Sequence, residues 1–401
     1  MSAFTIVIVI AVILIIWYLK TTGLRSPSVN ENTSNPRPTV IKTSLSPNGN
    51  IEAFVDQESH VAFLYLRGRE NANFGMQACW VRNLVPAPEK LDIRAVRRGK
   101  TPCLPRDFCR HPDGAPPLNP EHIEIIWNEA GDGAFLLEQG ELLVEMPSWS
   151  GLMEEFVGYS RDCTGRGPFC WEMPQSESNE VLIRLEKARK FWESWRDDES
   201  PWAKIQSGLM QTYEEGIGSY EKVFSVDEGS WPPREILRIP IKGGVVMVSI
   251  GMSIRAQPRV FTEEPEKLQR IETGVCIADC FPESVINGFS QSLASVVNFP
   301  WKQYTWLGHG HTITYDVGIE DPNGEPFSAF LVMENPPGSP DIHLPEYRGN
   351  PVNLLWLVPI TQGELNAAME KGSEVVMEKL TASGTEWMHK PRSSLFPLEN
   401  E

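Results

Sequence analysis

Seven apolar residues in a row, Leu354 to Ile360, run without a break into Thr361-Gln-Gly-Glu364. Few folds accept that junction. An apolar run of this length suits a strand buried on both faces. T-x-x-E is a capping box, so a helix starts where the strand stops. Upstream, Gln291 to Ile313 reads QSLASVVNFPWKQYTWLGHGHTI. Phe289, Leu293, Val296 and Val297 recur at helical spacing, which predicts a helix from Pro282 to Val297 that ends near Asn298. An aromatic loop then leads to two histidines on a Gly-punctuated turn. Further strands are predicted over 245–254, 313–317 and 327–333, and a helix over 362–371 that Gly372 stops. Strands and helices mix without a βαβ alternation, so this half, residues 201–380, reads as α+β. Residues 381–401 lose all periodicity and are expected as a loose tail.

Residues 39–175 are strand-rich. Strands are predicted over 51–56, 60–67, 76–85, 122–127, 134–137 and 141–144, with turns at Asn48-Gly49, Gly131 to Gly133 and Gln139-Gly140. A short helix within 84–94 and a Pro-rich loop over 100–120 complete a mostly antiparallel domain. Residues 176–200 are expected to form an amphipathic connecting helix, with Val181, Leu182, Leu185, Ala188, Phe191, Trp192 and Trp195 on one face. Its stripe is expected to be buried between the two domains. Ahead of everything, residues 3–19 are uninterruptedly apolar and as a helix would span roughly 26 Å, close to a bilayer core. Lys20 and Arg25 follow that run, which puts the soluble body in the cytoplasm. Residues 20–38 are Ser, Asn, Pro and Thr and read as a flexible linker. The expected fold is therefore α+β, two mixed sheet/helix domains behind an N-terminal transmembrane helix.

The charge balance narrows the partner. With 53 acidic against 36 basic residues the net charge is -17. Phosphate binding needs a basic footprint, so nucleic acid is excluded and a basic protein partner is favoured. Seven cysteines, an odd number without framework spacing, read as free thiols in a reducing compartment. Cys103, Cys109 and His111 lack the fourth ligand of a structural zinc site. Cys163 with Cys170, and Cys276 with Cys280, make no CxxC pair. There is no G-x-S-x-G elbow and no phosphate-binding loop. No catalytic residue, metal or cofactor is expected. Met146 to Trp171 has the aromatic and Arg content of an interface hot spot, with Trp149, Tyr159, Arg161 and Asp162 as its anchors. Trp306, His309 and His311 form a second candidate set. The rival readings are a metal-dependent hydrolase using His309 and His311, and a structural cell-envelope protein.

Four segments in order, Val246 to Met252 (VMVSIGM), Ser290 to Val297, Gly308-His309 and Leu357 to Glu364, resemble the suppressor-of-fused domain over roughly 200–380. SPNGNIEAFVD, FGMQACWVRNLVPAP and GYSRDC resemble the companion region of bacterial members. The resemblance implies a non-catalytic protein-binding module. Animal members clamp an extended segment of a transcription factor, partly by adding a strand to a sheet edge. Bacterial members imply an immunity role against toxins. Against the animal form, this chain is expected to carry a membrane anchor and no C-terminal extension. It also has Lys242-Gly243-Gly244 where the family has a Gly-Trp-Gly-type opening, so the animal ligand is not carried over. The expectation is a membrane-tethered module that sequesters a protein partner, a basic toxin among the candidates.

Overall fold

The computed structural model describes residues 39–69, 73–153, 156–174, 180–196, 201–315, 318–384 and 387–398. The predicted transmembrane run 3–19 and the linker 20–38 lie outside the described residues. Among the described residues no helix is long and apolar enough to cross a membrane. The chain divides into two compact units at Glu193/Ser194.

Unit 1 holds two sheets. β1 (Thr39–Leu45), β2 (Ile51–Gln57), β3 (Val61–Gly68) and β4 (Met76–Asn83) pair in chain order, all antiparallel. Ile51, Ala53 and Val55 of β2 are buried at alternate positions, as a half-buried strand requires. The expected short helix forms slightly later, as α1 (Ile93–Arg97), because Asp92 caps it by accepting from the Ala95 amide. The second sheet is β5 (Ile123–Trp127), β6 (Ala134–Glu138), β7 (Glu141–Met146), β8 (Tyr159–Ser160) and β9 (Trp171–Glu172), antiparallel except for β8 and β9. α2 (Glu180–Ser194) packs Val181, Leu185 and Ala188 against Ile126, Phe135, Leu137 and Leu142 of that sheet. Trp192 adds a bond from its Nε1 to the Trp127 carbonyl at 2.7 Å. The stripe expected to be buried between domains is taken up by a sheet of the helix's own unit.

Unit 2 is built on one eight-stranded sheet. α3 (Trp202–Gly216) precedes β10 (Lys222–Ser225), β11 (Glu235–Ile241), β12 (Gly244–Ile250) and β13 (Ile271–Ala278). α4 (Glu283–Gln303) leads to β14 (Thr312–Thr314), β15 (Phe327–Met333) and β16 (Asn353–Thr361), then α5 (Gln362–Lys371), α6 (Ser373–Ala382) and β17 (Met388–His389). The order across the sheet is β10-β11-β12-β13-β16-β15-β14, with β17 also paired to β13. Both faces are covered. Val245 and Met247 of β12 pack with Phe289, Leu293 and Val297 of α4. Val246, Val248 and Ile250 point the other way, onto Leu209 and Tyr213 of α3. The Thr361 and Glu364 capping box forms as predicted, with both reciprocal bonds made.

Two expectations fail here. α4 does not end near Asn298 but continues through Pro300 to Gln303. Trp301 holds that last turn in place, buried and donating from Nε1 to the Ala256 carbonyl at 2.9 Å. The C-terminal segment is not loose. Met388 and His389 pair with Cys276 and Ile277 of β13, and Arg392 reaches both Glu364 oxygens, at 2.5 and 2.7 Å.

His389 gives the first testable consequence. Its ring stacks on Phe281 at 5.2 Å and meets Phe327 edge-on at 4.7 Å. Burial, and then the Arg392 guanidinium, push its pKa down to about 3. Folded His389 is therefore neutral, while the unfolded chain protonates below about 6.5. Stability held above pH 6.5 is lost as pH falls toward 3, by about 1.4 kcal/mol per pH unit. His389→Phe should remove about 2 kcal/mol of the decline between pH 6.5 and 5. Urea midpoints of the two proteins at both pH values would measure it.

Candidate functional site

β10 is an end strand of the unit 2 sheet and pairs only with β11 among the described residues. All four of its residues are exposed, Val223 by 40% and Phe224 by 38%, with Tyr220 beside them at 40%. Its register is fixed. Lys222 faces Arg238 and Ser225 faces Glu235, and the Val226 amide donates to the Arg234 carbonyl at 2.9 Å. Hydrogen-bonded and non-hydrogen-bonded pairs alternate in an antiparallel ladder. Phe224 and Lys222 therefore bond inward to β11, and Val223 and Ser225 turn their amides and carbonyls to the open side. Sheet edges in native proteins are usually blunted by charge, proline or cover, because open backbone groups recruit another strand. Here apolar side chains flank the open groups on both faces.

The strand is held rigidly. Arg238 reaches Glu221 at 2.7 Å and Glu283 at 2.5 Å, which ties the start of β10 to the first turn of α4. Those bonds hold the Glu283 carboxyl below its usual range. Behind β11, β12 is followed by Gly251, which has φ +102 and lies so near Pro233 that a Cβ would sit 2.2 Å from its carbonyl oxygen. Only glycine fits there. The Gly251 and Ser253 amides and the Ser249 and Ser253 hydroxyls all donate to Glu272, at 2.6 to 3.0 Å. Glu272 is completely buried. Burial pushes its carboxyl upward in pKa, while Ser249 and Ser253 pull it back.

The residues proposed from sequence fall in both units, and each group is described by itself. In unit 1, Trp149 is half-buried under the Arg184 guanidinium, 5.2 Å from its ring. Arg184 also binds both oxygens of buried Glu145 at 2.7 Å. Tyr159 is half-buried against Phe156, at 4.9 Å, and burial raises its hydroxyl pKa. Arg161 is partly exposed and donates to Asp162 at 3.2 Å. Asp162 lies buried inside the fold, with the Arg82 guanidinium at 3.3 Å and the His111 ring at 3.8 Å. Its carboxylate is engaged within unit 1. Leu152 and Met153, both about 40% exposed, extend from the same loop as Trp149. Neither has the aromatic or charged character that marks a hot spot in the sequence.

In unit 2, Trp306 is half-buried with its ring 4.5 Å from that of His311. His311 Nδ1 lies 3.1 Å from the Trp306 carbonyl, and His309, exposed, accepts from the Glu334 amide at 3.1 Å. The turn is stitched to β15 by the Gly310 amide donating to Val332 and the Val332 amide donating to His311. Gly308 is required by close approach, since a Cβ would lie 2.4 Å from the Trp306 ring. Among the described residues no three His, Cys, Asp or Glu side chains are placed to hold a metal.

The family model for the suppressor of fused protein matches residues 230–392, the sheet and helices of unit 2 from β11 to Arg392. No curated protein sequence matches the chain. The solved structures that are similar in part include these three. A suppressor of fused homolog from Neisseria gonorrhoeae is 17% identical, with 48% of this chain and 97% of that one covered and a TM-score of 0.33. The Sufu-Fu complex gives 17% identity, 48% and 91% coverage and a TM-score of 0.36. Drosophila Suppressor of Fused gives 16% identity, 49% and 51% coverage and a TM-score of 0.35.

Proposed function

We propose, from the suppressor-of-fused domain that residues 230–392 form, that this chain is a non-enzymatic module that binds and sequesters a protein partner. Suppressor of fused is a protein-binding regulatory family. The observation that carries the reading is the open edge of β10. An extended partner segment adds to it as a further strand, bonding the outward amides and carbonyls of Val223 and Ser225. Phe224 and Tyr220 supply apolar contacts beside the new strand. Main-chain bonds give such recognition its affinity, and pockets for alternate side chains give its specificity.

The net charge of -17 favours a basic partner, drawn in by long-range attraction. The finer reading is a toxin-immunity protein whose partner is a basic toxin. The apolar run 3–19 tethers it to a membrane, with the body facing the cytoplasm. Trp149, Tyr159 and Arg161 of unit 1 and Trp306, His309 and His311 of unit 2 remain proposed partner contacts, supported by their partial or full exposure.

Val223→Pro separates the binding edge from the fold. Proline removes one outward donor and leaves the inward bonds of β10 to β11 in place, a position where edge strands tolerate it. The expected result is an unchanged melting temperature, within about 2 °C, and at least a tenfold loss of the protein captured from source lysate, identified by mass spectrometry. Equal capture by both proteins would remove β10 from the binding surface.

A further inference from the structure

We propose that Cys163 and Cys170 are a redox-active dithiol, closed to a disulfide by a small peroxide and reopened by thiol exchange. Cys163 follows β8 and Cys170 precedes β9, so the pair spans the turn 164–169 between two strands that are already neighbours. The two side chains hydrogen-bond to each other. Cys163 Sγ also lies 3.5 Å from the Cys170 carbonyl oxygen. Gly167 folds back over them, and a Cβ there would stand 3.5 Å from Cys163 Sγ and 3.1 Å from the Cys170 oxygen. Gly167 and the Cys170 carbonyl thus close the turn around the Cys163 sulfur.

The four buried thiols of unit 1 are not equivalent. Cys79, Cys109 and Cys170 are pushed up in pKa by burial and by neighbouring thiols. Cys163 moves down, because the Cys170 thiol and the Gly167 and Thr164 amides donate to its sulfur. The thiolate is the nucleophile, so Cys163 attacks and Cys170 resolves. Cys163 itself is buried, but Gly165 and Arg166 above it are exposed and Gly165 has open space around its Cα. With Cys163 itself fully buried, the oxidant proposed here is a small one that enters past this exposed turn.

The step balances with hydrogen peroxide. Cys163 thiolate attacks one peroxide oxygen and the O–O bond breaks, leaving a sulfenic acid and a hydroxide that is protonated to water. Cys170 then attacks the Cys163 sulfur, the S–O bond breaks, and the Cys170 proton leaves with the hydroxyl as a second water. Two thiols are oxidised by two electrons and the peroxide is reduced to two waters. Closure joins the end of β8 to the start of β9 and so stiffens the segment that carries Tyr159, Arg161 and Trp171.

The test uses the full chain, treated with stoichiometric hydrogen peroxide, alkylated and mapped without reduction. The exposed Cys280 and the half-exposed Cys103 are the natural competitors. The expected result is a Cys163–Cys170 peptide two hydrogens lighter, restored by dithiothreitol. Cys170→Ser should leave a sulfenic acid on Cys163 that dimedone traps. Oxidation confined to Cys280 or Cys103, or Cys163 driven to sulfinic acid while Cys170 stays free, would overturn the assignment. The wild-type map decides this whatever the serine variant does to folding.

Discussion

Replacing Glu272 by alanine should lower the stability of unit 2 by about 4 kcal/mol, because it leaves several buried donors without an acceptor. For a unit of this size that is a fall in melting temperature of roughly 12 °C. The reason is local. Glu272 stands on β13, paired on one side with β12 and on the other with β16, and it is completely buried. Its carboxylate accepts from the Gly251 and Ser253 amides and the Ser249 and Ser253 hydroxyls. The hydroxyls can turn to other acceptors once the carboxylate is gone. The amides cannot, and the αL conformation at Gly251 loses the bond that holds it. Glu272→Gln keeps one acceptor oxygen and should cost about half as much. Differential scanning calorimetry of the three proteins would measure both steps. Equal melting temperatures would mean that the turn after β12 draws its stability from elsewhere.

The second large effect lies at the other end of the unit. Arg392→Ala should cost about 3 kcal/mol, since it removes the one cation that faces the buried Glu364 carboxylate among the described contacts. Arg392 binds both Glu364 oxygens and donates to the Pro359 carbonyl at 3.1 Å. The same carboxylate accepts from the Thr361 and Leu395 amides, so the helix cap and the C-terminal segment share one anchor. Ser394 joins in, donating its amide to Asp321 at 2.9 Å. The Ser394, Glu325 and Asn323 amides together hold the Asp321 carboxyl below its usual range. Loss of Arg392 should therefore also free the following residues, read as faster proteolysis after 387. Arg392→Lys should recover only part of the loss, because an ammonium cannot reproduce the bidentate fork.

Much of this architecture was legible in the sequence, for identifiable reasons. β2 alternates, β6 and β7 flank the Gln139-Gly140 turn, and β12, β15 and β16 are apolar runs long enough for strands buried on two faces. The Thr361 box needed only its four residues. β13 was missed because Glu272 and Thr273 interrupt its apolar pattern and Gly274 weakens it. The structure gives two of them a reason, a buried acceptor at Glu272 and a close approach of Gly274 to the Trp356 ring, 2.8 Å from a Cβ there. β11 was missed because of Pro240. Its nitrogen faces the β10 side beyond the last β10 pair, Lys222 with Arg238, so no ladder bond is lost.

The candidate site was less legible than the fold. Trp149, Tyr159 and Trp306 announce themselves by composition, but their degree of burial depends on contacts far apart in sequence, such as Arg184 over Trp149. Asp162 reads from the sequence as an interface anchor beside Arg161. Arg82, eighty residues upstream, draws it inward instead. The open edge could not be read at all. KVFS carries no pattern of its own, and only the order of strands in the sheet reveals that nothing covers it among the described residues.

The binding edge can be examined directly by amide hydrogen exchange on the full chain, alone and with the partner it captures. Val223 and Ser225 turn their amides outward and should exchange quickly in the free protein. With partner bound, both should slow by at least tenfold as a new strand accepts from them. The inward amides of Lys222 and Phe224 should change little. Protection that appears only at Trp306 to His311 or at Trp149 to Arg161, with Val223 and Ser225 still exchanging fast, would contradict strand addition at β10.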